Sequence, residues 1–117
     1  MKKSWLMMFK TIDIDFTHVN NLNKMHELLK GTFGFPEFYG MNVHALIDCW
    51  SDLKVIGASG ETMCDFNLAS QETLILACKN LFNCAENIIT ELTRAVGAVN
   101  ERHIIAGHKP ILLICPL

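Results

Sequence analysis

ETLILACK, residues 72–79, sets Thr73 after Glu72 and then runs through five apolar residues before Lys79. Eight residues without the alternation of a half-solvated strand suit a strand buried on both faces, and such strands occur in parallel sheets covered by helices. The segments on either side are the ones a parallel sheet needs. Upstream, MMFKTIDID (7–15) spaces Phe9, Ile12 and Ile14 among polar neighbours, which predicts a first strand. Between the two runs, Asn20 or Asn21 can cap a helix carrying Leu22, Met25, Leu28 and Leu29, with Gly31 as its stop. A second helix is predicted from about Asn42 to about Leu53, after a loop that holds Pro36 and Gly40. KVIGASGETMCDFNLAS (54–70) has no sustained period and reads as an irregular excursion. Downstream, Asn83 and Glu86 have capping-box spacing, Ala85, Ile88, Ile89, Leu92 and Val96 form an apolar stripe, and Gly97 can close a third helix. VNERHII and PILLIC flank AGHK and read as a terminal β-hairpin around Gly107. The predicted fold is α/β: a small, mainly parallel sheet with a C-terminal β-hairpin, packed with about three to four helices, in a single domain over residues 1–117.

Composition limits what such a domain can do. Half of the 117 residues are hydrophobic, enough for one core. A formal charge of −2 argues against a phosphate-binding surface spread over the whole chain, so any electrostatic signal must be local. The five cysteines, Cys49, Cys64, Cys78, Cys84 and Cys115, lie far apart and mostly within apolar patterns. They read as buried free thiols in a reducing compartment, not as a disulfide framework. The apolar stretch of MKKSWLMMFK is too short for a signal peptide, and no run of 18 apolar residues offers a membrane span. The expectation is a soluble, cytoplasmic protein.

The local signal lies in FPEFYGMNVHALIDCW, residues 35–50. On a helical wheel Val43, Leu46, Cys49, Trp50 and Leu53 fall within an arc of roughly 120°, the face expected to pack on the sheet. His44, Asp48 and Ser51 cluster opposite, with Ile47 on one flank and Asp52 on the other. From Gly31 to Leu53 the acids Glu37, Asp48 and Asp52 stand without a Lys or Arg, a local charge of −3. Phe38 and Tyr39 precede the helix as candidate aromatic anchors. Spacing alone favours a solvated helix face whose aromatics turn into the core, since most such faces are bland.

PEFYGMNVHALIDCW (36–50) resembles the P-E-Y-Y-G-x-N-L-D-A-L-W-D-C segment of the barstar family of intracellular ribonuclease inhibitors. ETLILACKN and VNERHIIAGHKPILLI are similar to a longer branch of that family, with its inserted loop and terminal hairpin, so the likeness spans nearly the whole chain. The resemblance implies a small α/β protein that plugs a toxic ribonuclease, its acidic groups taking the place of RNA phosphates among active-site Arg and Lys. Tyr39, Gly40, Asn42 and Asp48 match the family pattern, and Asp48 stands where the deepest-plugging aspartate stands. The second helix aspartate is His44 here, the first aromatic of the pair is Phe38, the tryptophan is Ile47, and Arg94 stands where the last helix offers a glutamate. These departures remove acidity and imply a toxin other than barnase. The partner-binding set expected from pattern and resemblance together is Phe38, Tyr39, Gly40, Asn42, Val43, His44, Ile47, Asp48, Ser51 and Asp52.

Other chemistry is poorly supported. His18, His26, His44, His103 and His108 show no metal-ligand spacing, and Cys49 lies on the core side of its helix, away from any base. GASG lacks the lysine and helix of a phosphate loop, and Trp5 and Trp50 lack the basic neighbours of a base-stacking platform. No metal, cofactor, nucleic acid, membrane or small-molecule substrate is expected. The main reading is a non-catalytic inhibitor whose partner is a protein toxin, a ribonuclease or a related toxin. The competing readings are a regulatory binding module of the same fold with a partner that is no toxin, and a small hydrolase using His44 with Asp48. The hydrolase lacks a nucleophile and an oxyanion donor.

Overall fold

The computed structural model describes residues 8–54, 64, 66–69 and 71–117. Along the chain run β1 (Met8–Asp15), α1 (Leu22–Phe33), α2 (Val43–Ser51), β2 (Glu72–Lys79), α3 (Glu86–Ile105) and β3 (Leu112–Pro116), with a short 3-10 turn at Leu81–Asn83. The strands form one sheet in the order β1-β2-β3, and both pairings are parallel. Each crossover therefore contains helix, as parallel pairing demands. Among the described residues no helix is long and apolar enough to cross a membrane.

Register places Ile14 beside Cys78, Ile12 beside Leu76, and Leu76 beside Ile114. With Leu74 and Leu112 these residues form the sheet side of the core, which the helices complete with Met25, Leu29, Leu46, Trp50, Ile88, Leu92 and Val99. β2 is central, and Thr73 and Ala77 on its second face are also buried, as its unbroken apolar run predicts. The edge strands are thinner: Phe9 and Leu113 on that second face are about half exposed.

Helix boundaries follow caps and buried stripes more closely than glycines. α1 begins where the Asn21 side chain accepts from Lys24 N–H. It passes the expected stop at Gly31 and ends at Gly34, which adopts the left-handed conformation at φ 67°. Gly31 faces open space, where a missing side chain costs only about 1 kcal/mol of helix propensity. Phe33, two residues on, is fully buried and rewards the extra turn.

The C-terminal β-hairpin is not formed. α3 runs through Gly97, equally open, and takes up VNERHII, because Ala95, Val96, Val99 and His103 continue the buried stripe begun by Ile88 and Leu92. Its N-cap is Ala85 without a side-chain bond, and Asn83 sits in the preceding turn, so the Asn83–Glu86 capping box is also absent. β3 then returns parallel to β2 after Gly107, whose φ of 93° turns the chain. Asn100 clamps the start of β3: its Oδ1 accepts from Ile111 and Leu112 N–H at 2.9 Å, and its Nδ2 donates to Leu112 O at 3.0 Å. The excursion expected over 54–70 lies mostly outside the described residues.

Candidate functional site

The loop before α2 is built on buried aromatics. Phe35 stacks on Phe33 and packs against Tyr39 at 4.8 Å between ring centroids, and Phe33 meets Trp50 of α2 edge-on. Tyr39 is buried, and its hydroxyl shares a 2.5 Å hydrogen bond with Nδ1 of His26, a buried residue of α1. The other ring nitrogen of His26 lies 2.8 Å from Oε2 of Glu91 on α3. An Nε2–H that donates to the carboxylate leaves Nδ1 to accept from the tyrosine hydroxyl, so one tautomer satisfies the whole chain. Burial raises the Tyr39 pKa well above the ordinary tyrosine value and keeps the hydroxyl protonated as a donor. Tyr39 thus ties the loop to two helices, and Phe38, its neighbour, is left almost wholly exposed.

Gly40, Met41 and Asn42 turn the chain into α2. Asn42 Oδ1 accepts from Ala45 N–H at 2.9 Å and its Nδ2 donates to Gly40 O at 3.1 Å. A Cβ on Gly40 would meet that same Nδ2 at 3.1 Å, pressing on the cap. Met41 adopts the left-handed conformation at φ 56°, a costly position for a residue with a side chain. Three consecutive residues are thus committed to setting the angle at which α2 leaves the loop.

On α2 the inner face is as the wheel predicts: Leu46, Cys49, Trp50 and, just beyond, Leu53 are buried, and Val43 is half-buried. The outer face is narrower than predicted: Ile47 and Ser51 are buried, and α3 packs against α2 with Arg102 and His103 meeting Ser51. Ser51 turns inward, its Oγ donating to Ile47 O at 2.6 Å. What remains open is His44 and Asp48, with Ala45 and Asp52 half-buried beside them. Phe38, Tyr39, Gly40, Ala45, Asp48 and Cys49 line a notch of about 180 Å³ next to the Asp48 carboxylate.

Asp48 is met by a residue outside the expected set. Arg102 of α3 donates from Nη1 to Asp48 Oδ1 at 3.0 Å and to Ser51 Oγ at 3.3 Å. Next to it, His103 is fully buried with Nε2 2.8 Å from Ser51 O and Nδ1 2.8 Å from Nδ1 of His108. Burial lowers the His103 pKa; the Ser51 carbonyl acts against that shift, and His108 and Lys54 add to it. The neutral ring therefore donates to Ser51 and accepts from His108. Glu37, the third acid of the stretch, lies 3.8 Å from Lys30. Arg94 is exposed on the wall of an open groove lined by Leu22, Glu86, Asn87, Thr90 and Glu91.

Asp48 is engaged by Arg102, and among the described residues no hydrogen bond joins it to His44. Nor do three His, Cys, Asp or Glu side chains gather as a metal set among the described residues. Cys49 and Cys78 are buried and free, as their apolar periodicity predicts. Arg102, His103, His26 and Glu91 are the residues that sequence reasoning missed. His26 falls within the Leu22, Met25, Leu29 stripe, and a histidine at a buried helical position signals a buried polar partner. Arg102 and His103 could not be placed on a helix while their segment read as a strand.

Comparison with known proteins agrees with this architecture. A family model described as Barstar (barnase inhibitor) matches residues 9–103, from β1 to the last turns of α3. A protein of Bacillus subtilis (strain 168) named "Putative ribonuclease inhibitor YrdF" is 39% identical over 49 residues. That match covers 39% of this chain and 54% of the relative, about half its length.

Proposed function

The chain belongs to the barstar family, and on that premise we propose that it is an immunity protein that binds and blocks a cytotoxic ribonuclease. Contact is made by the loop over residues 36–41 and the open face of α2: Phe38 as the exposed aromatic, His44 and Asp48 as the polar centre, and Asp52 at the edge. Tyr39, Gly40, Asn42, Val43, Ile47 and Ser51 belong to the same surface and act mostly from beneath it, holding its shape. The observation that carries this reading is the pre-built loop. An exposed Phe38 and an exposed Asp48 are held on a frame in which Tyr39, His26, Glu91 and the Asn42 cap are already hydrogen-bonded, so little order has to be created on binding. The protein has no catalysis of its own and acts as a single domain. None of its five cysteines is in a disulfide, which supports a reducing, cytoplasmic setting, where a ribonuclease would be lethal to the cell that makes it.

Co-expression tests the proposal. Where a toxin-like gene stands beside its own, that gene is induced with and without this protein; survival and intact cellular RNA are expected only in the culture that makes both. Equal killing in the two cultures would remove the immunity role and leave a regulatory module with another partner.

A further inference from the structure

The sequence places three acids and no base between Gly31 and Leu53, but the folded surface does not carry that field. Lys30 reaches Glu37, and Arg102 reaches Asp48, so two of the three acids are neutralised from other helices. Of the three, Asp52 alone has no ion-pair partner among the described residues. The two pairs are unequal. Glu37 is fully exposed at 3.8 Å from its lysine, a contact that salt and water weaken readily. Arg102 is anchored at two points one turn apart on α2, Asp48 Oδ1 and Ser51 Oγ, and Ser51 Oγ is itself fixed by its bond to Ile47 O. This guanidinium is held over the patch by two hydrogen bonds, where Lys30 has a single long contact.

We infer that Arg102 is a specificity-determining residue: it makes the α2 patch charge-paired, so that the patch accepts a ribonuclease face offering a carboxylate beside its cationic cleft and discriminates against one offering cations alone. The inference rests on the inhibitor reading and deepens it. In the free protein the pair is half exposed, with Arg102 at 48% and Asp48 at 60%, and separating it is easy. Docking changes that. A partner that drew Asp48 among its own Arg and Lys while excluding water would leave Arg102 buried against like charges with no counter-ion, and an unpaired buried charge is strongly disfavoured. A partner carboxylate that takes over Arg102 as its cation takes over Asp48 removes the conflict: one internal pair is exchanged for two across the interface. The notch beside Asp48, walled by Phe38 and Ala45, can hold the aliphatic stem of that incoming cation.

The test uses catalytically silenced barnase, whose RNA-binding cleft must attract phosphates, as the cation-rich probe. Wild type, Arg102→Gln, Arg102→Lys and the double variant Asp48→Asn/Arg102→Gln are titrated against it by calorimetry at low salt. Arg102→Gln is expected to bind at least tenfold more tightly than wild type, Arg102→Lys to stay near wild type, and the gain to vanish in the double variant. Melting curves of all four should superimpose closely, since the pair lies at the surface. Equal or weaker binding by Arg102→Gln, including no detectable binding by either protein, overturns the inference. That failure leaves the inhibitor reading standing, because survival on co-expression with the neighbouring toxin decides the latter independently.

Discussion

α2 and α3 lie side by side, but they were made by different kinds of signal. α2 is a nine-residue helix with its instructions close at hand: Asn42 caps it, Gly40 leaves room for the cap, and four inward residues repeat at helical spacing. α3 is a twenty-residue helix without a side-chain cap, held by a stripe of small and branched residues that continues past a glycine. α2 displays the residues proposed to meet the partner. α3 supplies Glu91, Arg102 and His103, which set the position and charge of that display. A local motif can therefore name a contact surface while its electrostatics are decided by residues more than fifty positions away.

This contrast breaks first at the polar links between helices. Replacing His26 by Ala leaves the Tyr39 hydroxyl and the Glu91 carboxylate without their shared partner, one of them buried, and should cost about 3 kcal/mol of stability. Urea denaturation measures it. A loss below about 1 kcal/mol would mean that the loop is held by aromatic packing alone. Asn100→Ala removes three hydrogen bonds between α3 and the start of β3 and should cost about 2 kcal/mol, with early exchange of the Ile111 and Leu112 amides. If those amides stay protected, the clamp is not what seats β3.

Acid should loosen the α2–α3 seam by a smaller amount. The His103 pKa is lowered in the folded protein, so the unfolded chain takes up a proton first as pH falls. Stability from this group is complete above the unfolded histidine value of about 6.5 and declines as pH drops below it. The ring faces Ser51 O, His108 and Lys54, none of them an acid that would hold the charge. Melting temperatures of wild type and His103→Gln at pH 7.5 and 5.5 should show a larger acid-induced drop for wild type. Equal drops would place the sensitivity elsewhere. The smallest effect concerns thiols: Cys115 is exposed and should react quickly with a bulky reagent, while Cys49 and Cys78 should resist. Burial pushes the Cys78 thiol up to about 12, which suppresses its thiolate as well as its access. Rapid labelling of Cys78 would contradict the central position of β2.

Much of the fold was legible because it is written in short range. ETLILACK is β2 to the residue, Asn21 and Asn42 are caps, and the family likeness at 36–50 lies on the loop and helix where it was expected. The C-terminal third was misread for one physical reason. VNERHII has β-branched residues at both ends, and Gly97 looked like a stop, but a glycine on a solvent face ends no helix unless the backbone turns left-handed there. Gly34 does so and Gly31 and Gly97 do not. Once that helix is lost from the reading, Arg102 and His103 have no face, and the acids of α2 look unopposed. Ser51 was misplaced by the same omission, since Arg102 and His103 of α3 meet it, and Ile47 beside it is buried as well.

The most direct measurement of the proposed surface is the affinity of Asp48→Ala for the ribonuclease whose killing the wild-type protein suppresses, read by calorimetry alongside thermal melting. The exposed, Arg102-paired carboxylate predicts a variant that melts with wild type to within about 1 kcal/mol and binds at least about 2 kcal/mol more weakly, some thirtyfold. A folded Asp48→Ala protein that binds the toxin as tightly as wild type would contradict the account of this surface.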